Sequence, residues 1–121
     1  MADTKKVLIV EDEKSLARAL ELKLISAGFE VKVAVDGREA VALAKAEPFD
    51  VILLDLIMPV LDGFGVLSQL KAMGNKAKVI VTSNLSQKED IDKAKNLGAC
   101  DYVVKSDMSL AQIVDIVNSG C

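Results

Sequence analysis

Histidine is absent from the 121 residues, which removes imidazole acid–base catalysis, histidine metal sites and any Ser–His or Cys–His nucleophile from this chain. Aromatic residues make up only 3% and the net charge is -3. With no basic block and no aromatic platform, direct binding to nucleic acid is not expected. No apolar run approaches the roughly 20 residues of a membrane-spanning helix, and the Met1-Ala2-Asp3-Thr4-Lys5-Lys6 start lacks the apolar core of a signal peptide. The expected location is the cytoplasm, away from membrane. The two cysteines, Cys100 and Cys121, have no metal-site spacing and make no disulfide framework, so both are expected as free thiols. Carboxylates and lysines are left to carry any chemistry.

The length fits a single domain spanning residues 1–121. Short apolar runs alternate with amphipathic stretches throughout, with no linker or low-complexity segment between them. Strands are predicted at Lys6 to Val10, Glu30 to Val35, Asp50 to Leu54, Lys78 to Thr82 and Asp101 to Val104. Leu16, Leu20 and Leu24 repeat at helical spacing, and Gly28 closes that first helix as a left-handed cap. Asp36 with Glu39, Ser86 with Glu89 and Ser109 with Gln112 have capping-box spacing or a close variant, which places helix starts just beyond Asp36, Ser86 and Ser109. Pro48 closes the second helix, and a weaker third runs from about Phe64 to Met73.

Five strands each followed by a helix imply an α/β fold, a (βα)5 doubly wound parallel sheet, because parallel strands need right-handed crossovers. The first and third strands are continuously apolar and therefore central. Val31-Lys32-Val33-Ala34-Val35 alternates and belongs at an edge. The flavodoxin-like order 2-1-3-4-5 satisfies both and puts the topological switch between strands one and three.

Ligands of open α/β sheets bind at the C-terminal strand ends near that switch. Strand one runs into Glu11-Asp12-Glu13, strand three into Asp55, strand four into Thr82-Ser83-Asn84 and strand five into Lys105. Each feature alone is ordinary: acidic residues after a strand are more often a solvated helix start, and a lone aspartate there is usually a turn or cap. Their coincidence at one sheet edge is not ordinary. Converging carboxylates repel one another unless a cation joins them, and a hard divalent ion such as Mg²⁺ favours one or two carboxylates, waters and a phosphate oxygen. A carboxylate can itself be the nucleophile in aspartyl-phosphate chemistry, with a metal, a lysine and a hydroxyl neutralising the transferred group.

The sequence resembles the response-regulator receiver domain of two-component signalling, of the chemotaxis-regulator type, over essentially its whole length. The resemblance is carried by Val7-Leu8-Ile9-Val10-Glu11-Asp12-Glu13, by Leu53-Leu54-Asp55-Leu56-Ile57-Met58-Pro59 with Asp62-Gly63, and by Gly98-Ala99 with Tyr102-Val103-Val104-Lys105. It implies Asp55 as phospho-acceptor and Asp12 as direct Mg²⁺ ligand, with Glu11 assisting through water and Ile57 contributing its backbone carbonyl. Lys105 takes the place of the lysine that pairs with the acceptor and then with the phosphoryl group, and Tyr102 that of the switch aromatic. The family's hydroxyl stands 22 residues before its lysine, which selects Ser83, with Thr82 the runner-up.

The partners so implied are a sensor histidine kinase or histidine phosphotransfer protein, which must supply the phosphohistidine this chain lacks, and a downstream protein target. The chain is then a signalling acceptor that assists its own phosphorylation and dephosphorylation rather than an enzyme. On phosphorylation Tyr102 moves inward and the surface of the fourth helix, fifth strand and fifth helix changes. The alternative is a phosphorylation-independent pseudo-receiver. Three features depart from the family pattern: Lys105 is followed by Ser106 instead of proline, Asn84 replaces a small residue beside the hydroxyl, and Ile57 and Leu85 are apolar. The last pair is expected to hinder the hydrolytic water and lengthen the life of the aspartyl phosphate.

Overall fold

The computed structural model describes residues 4–58 and 60–119. Strands β1 (Lys6–Val10), β2 (Glu30–Ala34), β3 (Val51–Leu54), β4 (Lys78–Ser83) and β5 (Asp101–Val104) alternate with helices α1 (Lys14–Ser26), α2 (Gly37–Ala46), α3 (Gly63–Ala72), α4 (Lys88–Asn96) and α5 (Leu110–Ser119). All strand pairs are parallel, in the expected order β2-β1-β3-β4-β5.

Strand alternation divides the core in two. Leu8, Val10, Ile52, Leu54, Val79 and Val81 face one side, against Val41 of α2 and Val66 and Leu70 of α3. Val7, Ile9, Val51, Leu53 and Ile80 face the other, against Leu20 and Leu24 of α1 and Ile113 and Val117 of α5. All four residues of β3 are buried, which is why that strand carries no polar alternation. Each such side chain contributes about 1.5–3 kcal/mol of burial, so the middle of the sheet is a rigid mount for whatever follows its strands.

Several helix ends are closed as the sequence leads one to expect. Asp36 accepts from the Glu39 N–H at 2.8 Å, and Ser109 and Gln112 form a reciprocal capping box at 2.8 and 3.2 Å. Gly28, at φ 96°, follows α1 in the left-handed region. Other boundaries differ. β2 stops at Ala34, before the exposed Val35. Asp50 lies just ahead of β3, where its side chain accepts from the Lys6 N–H at 2.7 Å, and β4 extends by one residue to Ser83. α3 begins at Gly63, where Asp62 caps it by accepting from the Gly65 N–H at 2.9 Å. Ser86 is not a cap: α4 starts at Lys88 with Gln87 in the N-cap position and no side-chain cap bond. Cys100, expected as a free thiol, is disulfide-bonded. Spacing along the chain does not say which thiols meet in space, and Cys121 lies outside the described residues.

Candidate functional site

Register builds the site. Val10 pairs with Leu54, and Leu54 with Val81, so the residues that follow, Glu11, Asp55 and Thr82, emerge side by side at the C-terminal edge of the sheet. The Glu11 N–H still bonds to the Ala34 carbonyl and the Asp55 N–H to the Val10 carbonyl, both at 3.0 Å, which holds both residues in the sheet's frame. Glu11 turns inward and is 2% exposed, Asp55 is 6% exposed, and Asp12 points to solvent. Of the run Glu11-Asp12-Glu13, only Glu11 is buried at the sheet edge; Asp12 and Glu13 stay exposed, and Glu13 takes the N-cap position of α1, which begins at Lys14. Carboxylate oxygens of Glu11, Asp12 and Asp55 lie within 4.8 Å of one another.

Lys105 answers this charge. Its Nζ donates to Glu11 Oε1 at 2.5 Å and lies 3.1 Å from Asp55 Oδ2. Among the described residues no peptide bond is cis, so the Lys105–Ser106 bond is trans and the lysine nonetheless reaches both carboxylates. A single turn of 3-10 helix over Lys105–Asp107 carries the chain on towards α5. Burial pushes the Glu11 carboxyl above its ordinary value, opposed by its bonds from Lys105 and from the Glu13 N–H. Burial also pulls Lys105 down, but its bond to Glu11 and the charge of Asp55 outweigh this and leave the ammonium above its usual value.

The chain also matches the family model described as the response regulator receiver domain over residues 7–118. It belongs to that family. The receiver is 43% identical over 109 residues to the transcriptional regulatory protein PrrA of Mycobacterium tuberculosis, covering 90% of this chain and 46% of that protein. It therefore spans less than half the length of that curated relative. Among solved structures, the receiver domain of the Francisella response regulator 1452 matches with a TM-score of 0.90 and 33% identity, over 96% of this chain and 95% of that one. The Vibrio cholerae chemotaxis protein CheY4 matches with a TM-score of 0.91 and 29% identity, over 98% of this chain and all of that one.

Receiver domains bind Mg²⁺ at an acidic site, and hard carboxylate oxygens this close together suit that ion. Ile57 donates its N–H to Asp55 Oδ1 at 3.3 Å and leaves its side chain 60% exposed. Thr82 and Ser83 are both buried but point to opposite faces of β4. Thr82 lines a cavity of about 370 Å³ with Leu16, Leu20, Met108 and Lys105, whereas Ser83 Oγ accepts from the Leu85 N–H at 3.2 Å. Tyr102 is already turned inward: its hydroxyl donates to the Leu85 carbonyl at 2.5 Å, and burial raises its pKa. Asn84, which stands where the family has a small residue after the hydroxyl, is exposed. Among the described residues no helix is long and apolar enough to cross a membrane.

Two features escape the sequence reading. The Lys105–Glu11 bond joins residues 94 apart, beyond any local pattern. Gly63 sits against the acceptor's backbone, where a Cβ would lie 2.4 Å from the Asp55 carbonyl oxygen. Its signal was present as the Asp62-Gly63 pair, which reads as a turn until the packing is known.

Proposed function

We propose that this receiver accepts a phosphoryl group on Asp55 from the phosphohistidine of a sensor kinase or histidine phosphotransfer protein. The observation that carries the reading is the placement of Asp55: buried at the end of the central strand, 3.1 Å from Lys105 and within reach of two further carboxylates. In the transfer, an Asp55 carboxylate oxygen forms the new O–P bond as the donor's N–P bond breaks, and the departing imidazole keeps that electron pair and takes a proton. Glu11, Asp12, Asp55 and the Ile57 carbonyl would hold Mg²⁺, which supplies charge neutralisation for the carboxylates and the phosphoryl oxygens. Lys105 and the Ser83 hydroxyl then bind those oxygens. Because Ser83 accepts from Leu85, and Leu85 accepts from Tyr102, a change at Ser83 reaches the aromatic and through it the α4–β5–α5 surface that a downstream protein reads.

Intact-mass measurement after incubation with a small phosphodonor tests this. A Mg²⁺-dependent adduct is expected in the wild type and in Thr82→Ala, none in Asp55→Asn, and slower formation in Ser83→Ala. An adduct that survives in Asp55→Asn overturns the assignment, and no adduct in any protein favours the pseudo-receiver. The exposed Ile57 side chain shields the aspartyl phosphate from water. Ile57→Asn is expected to shorten its lifetime several-fold, and an unchanged decay rate would remove Ile57 from that role.

A further inference from the structure

We propose that the groove between α2 and α3 is a second docking surface, shaped to take an acidic amphipathic helix of a partner protein. It stands apart from the phosphoryl chemistry at Asp55.

The groove has a volume of about 340 Å³, and its walls include Arg38, Val41 and Lys45 of α2, Val60 and Leu61 of the loop after β3, and Gln69 of α3. Two glycines fix its shape. A Cβ on Gly37 would collide with the Leu61 carbonyl, and one on Gly65 would meet the Leu61 side chain, so the starts of both helices close on Leu61. Beside this clamp Val60 sits at φ 72° with its side chain 69% exposed. Strained conformations persist only where the surrounding structure imposes them, and they cluster at ligand clamps and switch regions. An apolar side chain held in water in this way gains burial only when something docks on it.

Charge says which partner. In a chain of net charge -3, the two charged walls of the groove are both cations, and among the described residues neither Arg38 nor Lys45 belongs to an ion pair. The carboxylates that flank α2 and open α3 are taken elsewhere: Asp36 and Asp62 cap their own helices, and Glu47 pairs with Lys6 and Lys32. Arg38 and Lys45 are exposed and lie two turns apart on α2, about 10 Å, with the buried Val41 between them. Two acidic residues at i and i+7 of a second helix laid along α2 have that same spacing. The apolar residues at i+3 and i+4 of such a helix fall against Val41 and Val60. Nucleic acid would need a longer row of cations and aromatic stacking partners, and the groove has neither.

NMR titration of the isotopically labelled protein with helix-stapled peptides tests this, the peptides bearing Glu at i and i+7 and Leu, Ile or Met at i+3 and i+4. Saturable binding is expected, with amide shifts on α2, on residues 60–62 and on α3. Arg38→Glu combined with Lys45→Glu should weaken binding at least about tenfold, since like charges then face each other. Lys14→Glu combined with Lys23→Glu makes the same change in net charge on α1, where both lysines are exposed. That pair should alter affinity by less than about twofold, because water and salt screen exposed charges outside the groove. Val60→Asn, which suits the same backbone region, should weaken binding about fivefold through lost apolar contact. No binding by any peptide, equal binding by peptides with Lys at i and i+7, or shifts centred on α1 or on the α4–β5–α5 face each overturns the proposal. So does an Arg38 and Lys45 double variant that binds like the wild type. Sedimentation of the protein without peptide covers the remaining occupant: self-association that this double variant abolishes would give the groove to a second copy of the chain and overturn the partner assignment.

Discussion

The two ends of the sheet handle charge in opposite ways. At the N-terminal end Lys6 pairs with Glu47 and lies 3.7 Å from Glu30, and Lys32 reaches Glu47 at 2.5 Å. Lys6 also lies over the Phe49 ring, 5.2 Å from its centre. Among the ion pairs of the described residues, two lysines there face two glutamates, so those charges are matched. At the C-terminal end Glu11, Asp12 and Asp55 converge, and the ion pairs of the described residues give them one lysine, Lys105. Two of these carboxylates are buried, where an unmatched charge is costly. One end is arranged for stability; the other keeps a charge deficit that a divalent cation and a phosphoryl group can use.

Glycines sharpen the same contrast. Gly98, just ahead of β5 at the N-terminal end, has φ 110° and open space around its missing Cβ. Gly63, at the C-terminal end, is needed for room rather than for φ. Gly63→Ala should therefore have the largest stability effect of any single substitution considered, about 3 kcal/mol, because the obstructing atom is backbone and cannot rotate away. Gly98→Ala should cost only the left-handed strain, about 1–2 kcal/mol. Urea denaturation of both variants checks the ranking, and a reversed order would mean that the Asp55 loop yields more easily than its packing implies.

Magnesium should act at one end only. At ten times its dissociation constant it should add about 1.4 kcal/mol to folding stability. Asp12→Asn should abolish that increment and Glu47→Gln should leave it intact. Thermal unfolding with and without Mg²⁺ measures it, and an increment that survives Asp12→Asn would place the ion elsewhere.

Among the described residues the loop after β3 holds the one non-glycine residue at positive φ. Val60 is a β-branched residue at φ 72° with its side chain 69% exposed, a conformation that costs about 1–2 kcal/mol and gains no burial in return. Asparagine tolerates that region. Val60→Asn should raise stability by about 1 kcal/mol, and an unfolding midpoint at or below the wild type's would show that Val60 earns its place by a contact.

How much of this was legible depended on the range of the interaction. Strand order could be read because β1 and β3 are apolar without a break while β2 alternates, and burial on two faces or one leaves that imprint directly. The Asp36 and Ser109 caps could be read because a side chain and an N–H three residues on are the whole interaction. Ser86 failed by the same rule, since matching spacing does not force the side chain to bond, and the chain enters α4 one residue later. The alignment of Glu11, Asp55 and Lys105 at one edge followed from topology. The choice of Glu11 as the lysine's nearer partner did not, because it depends on Glu11 turning inward while Asp12 turns out. No alternation pattern extends past a strand's end to foretell that.

The smallest expected effect, a matter of sign, separates the two ends by pH. Hydrogen bonds from Lys32 and then Lys6 hold Glu47 below its ordinary value of 4.5. Its contribution to stability is therefore present above that value and is lost as the pH falls through its folded pKa. Burial raises Glu11 above 4.5 in the metal-free protein. Its folded form binds a proton more readily than its unfolded form, so stability from this group grows as the pH falls through its folded pKa towards 4.5. Glutamine titrates at neither position. Relative to wild type, Glu47→Gln should thus lose its disadvantage on acidification, while Glu11→Gln should fall further behind. Denaturation series without Mg²⁺ from neutral pH down to pH values near the ordinary carboxylate pKa measure both differences, and parallel trends would mean that the inward Glu11 feels its lysine more strongly than its burial.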